Sequence, residues 1–349
     1  MEQVTFIISL TAVSAAYLIW GMTTLPHERW QVAAAVPLRK GGDGHWHGVN
    51  LTWYGILTAN AYLAAVLLSL ILMGAAGISL RAIMALVVLL LVCCVPASRL
   101  VAQVVEKKSN TFTVGGAVFV GTLIAPWVVT LVNNIPLGDR GVPVPVLPAL
   151  AVISIAYAFG EGFGRLACVS FGCCYGKPLS CCHPTVARLA SPVALVFTGK
   201  TKKIAYASGL DGVKVLPVQG ITYLLYTATG VVSTLLFLQG AYGAAFLTAL
   251  IITQLWRVCS EFLRDDHRGA GKFSAYQMMG VVAVVYGIWV ARYFGGESVV
   301  CDLSAGIAGV WNPVPLLMME AIWVAIFLYT GLSRVTGARM SFHVEPEKI

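Results

Sequence analysis

Charge is what this chain of 349 residues has least of: Asp, Glu, Lys and Arg together make 11% of it. A soluble domain carries about 25%. At 58% hydrophobic residues and a mean hydropathy of +0.82, the composition excludes a water-soluble globular enzyme and an intrinsically disordered chain. Other absences narrow the class further. Residues 1–24 lack a basic leading stretch and a small-residue cleavage site, so they read as a retained helix and not as a cleaved signal. There is no internal repeat, no heptad and no low-complexity tract. The basic residues, which give a formal net charge of +8, are scattered among apolar runs and not gathered on one polar face. That pattern argues against nucleic acid as a partner.

Long apolar runs fill the space that charge leaves. A helix needs about 20 apolar residues to cross a bilayer, and windows near 4–24, 51–75, 79–102, 115–134, 146–165, 217–238, 243–260, 274–293 and 314–333 qualify. The expected fold is an all-α polytopic membrane protein of about nine transmembrane helices. A small irregular cap, with short strands at most, is inserted near 166–216. Residues 25–50 form the other polar excursion.

The few charges inside or beside these runs are informative, because a lipid-facing charge costs several kcal/mol. Arg257, Glu261 and Arg264 are spaced i, i+4, i+7, and Glu161 and Arg165 are spaced i, i+4. Each set shares a helix face. Interhelical salt bridges are one reading. An anion site is the other: guanidinium forks match phosphate oxygens, and glycines around Arg165 allow close approach.

The stretch GRLACVSFGCCYG (164–176) resembles the signature of the bacterial prolipoprotein diacylglyceryl transferase family, G-R-x-G-N-F-x-N-G-E-x-x-G, through Gly164, Arg165, Gly172 and Gly176. LTWYG (51–55) is similar to the R-W-Y-G opening of that family's first core helix, with Tyr54 at its tyrosine. SRLVAQVV places Arg99 at another family arginine, and PVQ (217–219) resembles its H-P-[ST]-Q segment. RVCSEFLRDD resembles R-x-x-x-E-F-x-R-x-P-D through Arg257, Glu261 and Arg264, and Gln277 fits a glutamine of the following helix. The resemblance covers roughly residues 50–293. It implies a transferase-like membrane core at 51–293, an extra N-terminal helix and interfacial loop at 1–50, and an extra helix and polar tail at 294–349. That family moves the diacylglyceryl group of phosphatidylglycerol to a lipoprotein cysteine. The resemblance therefore implies a phospholipid donor, phosphatidylglycerol or another anionic phospholipid, in a bacterial inner membrane. Catalytic roles fall to Glu161, Arg165, Arg257 and Glu261, with Glu261 orienting Arg257. Donor-lipid binding falls to Tyr54, Arg99, Arg165, Gly176, Arg257 and Arg264.

Several family positions are filled otherwise. Val114 stands for a histidine, Cys168 for an asparagine, Cys173 for a glutamate and Leu216 for the histidine before Pro-[ST]-Gln; Ile221 and Thr222 replace a tyrosine and a glutamate. A thiol acceptor must lose its proton to attack, and the usual helper is missing. His45, His47 and His183 are alternative acid/base groups. The acceptor, whether glycan, small molecule or protein, stays open, and so does the transferred part, diacylglyceryl or glycerophosphoryl. A lipid-binding or lipid-moving protein that kept the pocket without the chemistry is the competing function. No cofactor and no metal is expected. Cys173, Cys174, Cys181, Cys182 and His183 depart from the usual zinc spacing, a cap disulfide such as Cys174–Cys181 is open, and Cys168 as a transient carrier lacks an activating partner. The family resemblance puts the active face outside the cytoplasm. Basic residues of the flanking loops, Arg29, Arg39, Lys40, Lys107, Lys108, Lys177, Lys200, Lys203, Lys214, Arg268 and Lys272 among them, against little beyond Arg81 and Arg140 opposite, argue for the cytoplasm.

Overall fold

In hydrocarbon every peptide N–H and C=O must be paired within the chain, which leaves the helix as the form an apolar run can take alone. The computed structural model describes residues 2–106, 114–135, 143–265, 274–296 and 299–348. Its helices are α1 (Glu2–Thr24), α2 (Trp53–Ala75), α3 (Leu80–Glu106), α4 (Val114–Asn134), α5 (Val146–Phe171), α6 (Pro184–Ala190), α7 (Lys203–Ser208), α8 (Val218–Leu238), α9 (Tyr242–Glu261), α10 (Ala275–Tyr293), α11 (Leu303–Val310) and α12 (Pro313–Gly331). Among the described residues nine of these, all but α6, α7 and α11, are long and apolar enough to cross a membrane. The protein is an all-α polytopic membrane protein. Lys107, Lys108, Arg140, Arg268 and Lys272, which enter the charge comparison, lie outside the described residues.

The helix bearing Arg165 is the centre of the bundle. In α5, 78% of the most apolar window is buried, against 11% in α1 and 17% in α3 and α12. It packs on α2, α8 and α9. It also runs to Phe171, six residues past the expected end, and stops at Gly172, whose φ of 73° closes the helix in the left-handed region. Arg165 and Cys168 are thus inside its last turns.

Residues 25–50, expected as a loop, instead hold β1 (Val32–Lys40), and β2 (Trp46–Thr52) leads straight into α2. The chain beyond α12, expected as a polar tail, forms β5 (Leu332–Met340). The three make an antiparallel sheet in the order β1-β2-β5, with Gly48 opposite Ala338 and His47 opposite Arg339. Asn50 Nδ2 donates to Thr336 Oγ1 at 3.0 Å across it. The alanine-rich β1 has little alternation, and β2's second partner lies near the other end of the chain, so no local pattern announced the sheet.

The cap contains α6, α7 and a two-stranded ladder of β3 (Leu195–Val196) and β4 (Lys214–Val215). It is pinned from below by a fully buried lysine. Lys202 Nζ donates to the carbonyls of Leu25 (3.1 Å) and Ser170 (2.7 Å), joining the ends of α1 and α5. Burial pushes its ammonium down to about 8, with Glu28 acting weakly the other way. An unfolded lysine keeps its proton to about pH 10.4. Between these values the unfolded chain holds the proton that the folded one has released, so stability rises with pH from about 8 to 10. The gain is at most about 3 kcal/mol, from about 1.4 kcal/mol per unit. Thermal unfolding of the purified protein should show this rise, and Lys202→Met should flatten it; equal slopes in both proteins would rule it out.

Candidate active site

Three helices each bring one polar stripe to a common cleft. On α5, Tyr157, Glu161, Arg165 and Cys168 recur at steps of three and four and so share a face. On α8 the stripe is Gln219, Thr222 and Tyr226. On α9 it is Arg257 and Ser260, followed by Arg264 just past the helix end. The cleft wall includes Arg165, Arg257, Arg264, Cys174, Gln219 and Tyr226. Three guanidinium groups and one thiol therefore surround one space.

Each cation is held by a different partner. Glu161 accepts a hydrogen bond from Arg165 Nη2, and the side chains of this pair are only 13% and 15% exposed. Arg257 Nη1 donates to Tyr157 Oη at 3.1 Å. Arg264 is placed by the signature loop: its backbone forms an antiparallel bridge with Gly176, and Lys177 N donates to Leu263 O at 3.0 Å. A Cβ on Gly176 would stand 2.5 Å from Leu216 O, so only glycine lets the loop pass between the two segments. Two buried polar atoms of the cleft have no partner, Arg165 Nε and Gln219 Oε1. An unpaired buried donor costs about 1–3 kcal/mol, and a bound anion would satisfy that of Arg165.

An apolar cavity of about 210 Å³ adjoins the cleft between α3, α4, α5 and α9. Leu90, Val118, Ile153 and Leu250 are among its walls, together with Tyr157. Apolar cavities near 150 Å³ stay dry and take up apolar guests. Tyr157 lines the cavity while its hydroxyl accepts from Arg257, a residue of the cleft wall, so this pair links the cation-lined and apolar spaces.

One thiol, that of Cys174, is part of the cleft wall. Cys168, Cys173 and Cys174 bring their Sγ atoms within 4.8 Å of one another. All nine cysteines are unbridged, including Cys174 and Cys181. Contacts with the Cys168 and Cys173 side chains, then the Arg264 and Arg165 guanidinium groups, hold the Cys174 thiol well below the usual thiol range.

The other expected site residues are spread more widely. Tyr54 opens α2 with its ring edge-on to Phe171, centroids 5.8 Å apart. Arg99 lies exposed on α3, away from the cleft wall. Glu261 ends α9 and is also outside that wall, and Arg257 donates to Tyr157. His45 bonds Ser341 Oγ at 2.7 Å and His47 stands 3.9 Å from Asp43, both at the far end of the β1–β2 hairpin. Six residue steps take the chain from His47 to the first residue of α2, roughly 20 Å at about 3.3 Å each. His183 caps α6, its Nδ1 accepting from Thr185 N at 3.4 Å. No histidine is part of the cleft wall among the described residues. Tyr157, Tyr226 and Trp256 are site residues that the sequence motifs do not include, although Tyr157 precedes Glu161 by the same four-residue step that joins Glu161 to Arg165.

The model of the family described as prolipoprotein diacylglyceryl transferase matches residues 45–293. A phosphatidylglycerol–prolipoprotein diacylglyceryl transferase of Clostridium tetani is 26% identical over 191 residues, 54% of this chain and 66% of the relative. A second protein of that name, numbered 2, from Clostridium perfringens is 28% identical over 150 residues, 41% of this chain and 50% of the relative. The chain thus spans half to just under two thirds of the length of these curated relatives. No solved structure gives a significant match.

Proposed function

The chain belongs to the prolipoprotein diacylglyceryl transferase family, and from that membership we propose that it transfers the diacylglyceryl group of phosphatidylglycerol to an acceptor other than a lipoprotein cysteine. The observation that carries this reading is the cleft shared by Arg165, Arg257 and Arg264, joined at Tyr157 to an apolar cavity. The arrangement suits a phosphodiester with an acyl tail. The guanidinium forks take the phosphate oxygens, the free Nε of Arg165 adds a donor, and a segment of acyl chain fills the cavity.

Transfer breaks the bond between the glyceryl carbon and the phosphate oxygen. The acceptor oxygen or sulfur bonds to that carbon, and the electron pair leaves on glycerol phosphate. The acceptor's proton passes to water or to the released monoester, whose second pKa is about 6. Charge grows on the leaving phosphate, so cations already fixed in a dry site lower the barrier. Glu161 keeps Arg165 in place.

The acceptor assignment is supported by Val114, Cys168, Cys173 and Leu216, which replace family residues, and by the lack of a histidine among the described residues of the cleft wall. The proposed acceptor is a group of a glycan, a small molecule or another protein. The experiment follows glycerol phosphate release from headgroup-labelled phosphatidylglycerol by the protein in nanodiscs. Its arms contain no acceptor, a cysteine-bearing lipoprotein peptide, and a sugar or polyol. Slow release to water, unchanged by the peptide, is expected. Acceleration by the peptide overturns the acceptor assignment. Lipid binding with no release in any arm overturns the transferase reading in favour of a lipid-binding or lipid-moving protein.

A further inference from the structure

We propose that Cys168, Cys173 and Cys174 form a binding site for a thiophilic metal ion, zinc or copper(I), in the wall of the arginine cleft. The three Sγ atoms lie within 4.8 Å of one another. A metal–sulfur bond of about 2.3 Å requires sulfurs about 4 Å apart, so each sulfur needs to move inward by only about 0.5 Å. Three soft ligands select zinc or copper(I) over magnesium and calcium.

The local backbone builds this convergence. Gly172 N and Cys173 N both bond to Cys168 O, at 2.9 and 3.0 Å, so the chain reverses at the helix end and returns beside the last turn. Adjacent cysteines in extended chain point apart, so a pair such as 173–174 serves one ion only if the backbone turns between them. Here Cys174 has φ 57°, a conformation that costs a non-glycine residue about 1–2 kcal/mol. It turns this sulfur onto the same side as its neighbour's. Gln219 Nε2 fixes the turn by donating to Cys173 O at 2.9 Å. A strained residue kept in place by its surroundings is a mark of function.

Cationic side chains also stand close to the trio. Three thiolates around a divalent ion carry one net negative charge, around copper(I) two, and the Arg165 and Arg264 guanidinium groups stand beside Cys174. Cys181, Cys182 and His183 take no part: Cys182 Sγ bonds Pro178 O at 3.4 Å, and His183 caps α6. With three protein ligands the ion keeps an open position, the arrangement of catalytic and not of structural zinc. This site does not rest on the transferase reading, and its test needs no turnover.

The full-length protein is purified in detergent under reducing conditions, and its zinc and copper are measured by mass spectrometry. About one ion per chain is expected. After chelation, Co²⁺ should restore a sulfur-to-metal charge-transfer absorption, and alkylation should reach Cys168, Cys173 and Cys174 only in the stripped protein. Cys168→Ser, Cys173→Ser and Cys174→Ser should each lose the band, whereas Cys181→Ser keeps it. Absence of metal and of the cobalt band in the wild type overturns the proposal, as does a disulfide within the trio or equal loss in Cys181→Ser. If the serine variants fail to fold, the wild-type metal content and alkylation pattern decide alone.

Discussion

Arg165→Ala is expected to lower phosphatidylglycerol turnover by about 10²–10³-fold, the cost of removing one fixed donor to developing charge, and to weaken donor binding by about 1.5–3 kcal/mol. Two properties of Arg165 set that size. It is the cleft cation on the most buried helix, and it carries a guanidinium nitrogen with no protein partner. The same substitution leaves Glu161 buried without its cation, and breaking a buried pair destabilises by about 3–5 kcal/mol. Loss of activity alone would therefore not separate phosphate binding from a structural salt bridge. The double variant Glu161→Gln/Arg165→Met removes both charges and should recover most of the thermal stability. It should still fail to bind or turn over the lipid. A folded, fully active double variant would reduce the pair to a bundle tie. Arg165→Lys keeps the charge and loses the fork, so it should also fall short of the wild type in turnover while folding normally.

Much of this fold could be read from the sequence, because a bilayer imposes length and apolarity on each span. The expected windows and the observed helices agree to within a few residues, apart from the ends of α3 and α5. In α5 the arginine and glycines lower the local hydropathy, yet the helix continues until Gly172 offers the left-handed turn. The arginines could be located for a related reason: charge in an apolar run is rare enough to be noticed. Tyr157, Tyr226 and Trp256 could not, because an aromatic residue in a span usually packs. His45 and His47 were misleading in the opposite sense. Beside a tryptophan and close in sequence to α2, they resemble interfacial acid/base groups, but an extended strand carries them away from the cleft. The cysteine trio depends on a positive φ at Cys174, and no spacing rule encodes that.

Gly115→Ala is expected to lower turnover by about 100-fold and to cost about 1–3 kcal/mol of stability. A Cβ at this position would stand 2.5 Å from Arg257 Nη2 and 2.7 Å from Tyr276 Cδ1. On its other side the same guanidinium is held through Nη1 by Tyr157. Arg257 therefore sits in a slot between α4 and α5, and the missing side chain of Gly115 is one wall of it. A methyl group there meets the far end of the Arg257 side chain, which can swing away, and the buried ring of Tyr276, which must also shift, so part of the cost falls on packing. Alanine is also about 1 kcal/mol better than glycine in a helix, which offsets some of the strain. The guanidinium, however, leaves the position from which it faces Arg165, and a displacement of about 1 Å at a reacting centre costs on the order of 10²-fold. Residues in contact should be non-additive. In an Arg257→Met background Gly115→Ala should add nothing to the loss, because no cation remains to displace. Equal losses in the two backgrounds, read as kcat/KM for glycerol phosphate release, would show that Gly115 acts elsewhere than on Arg257.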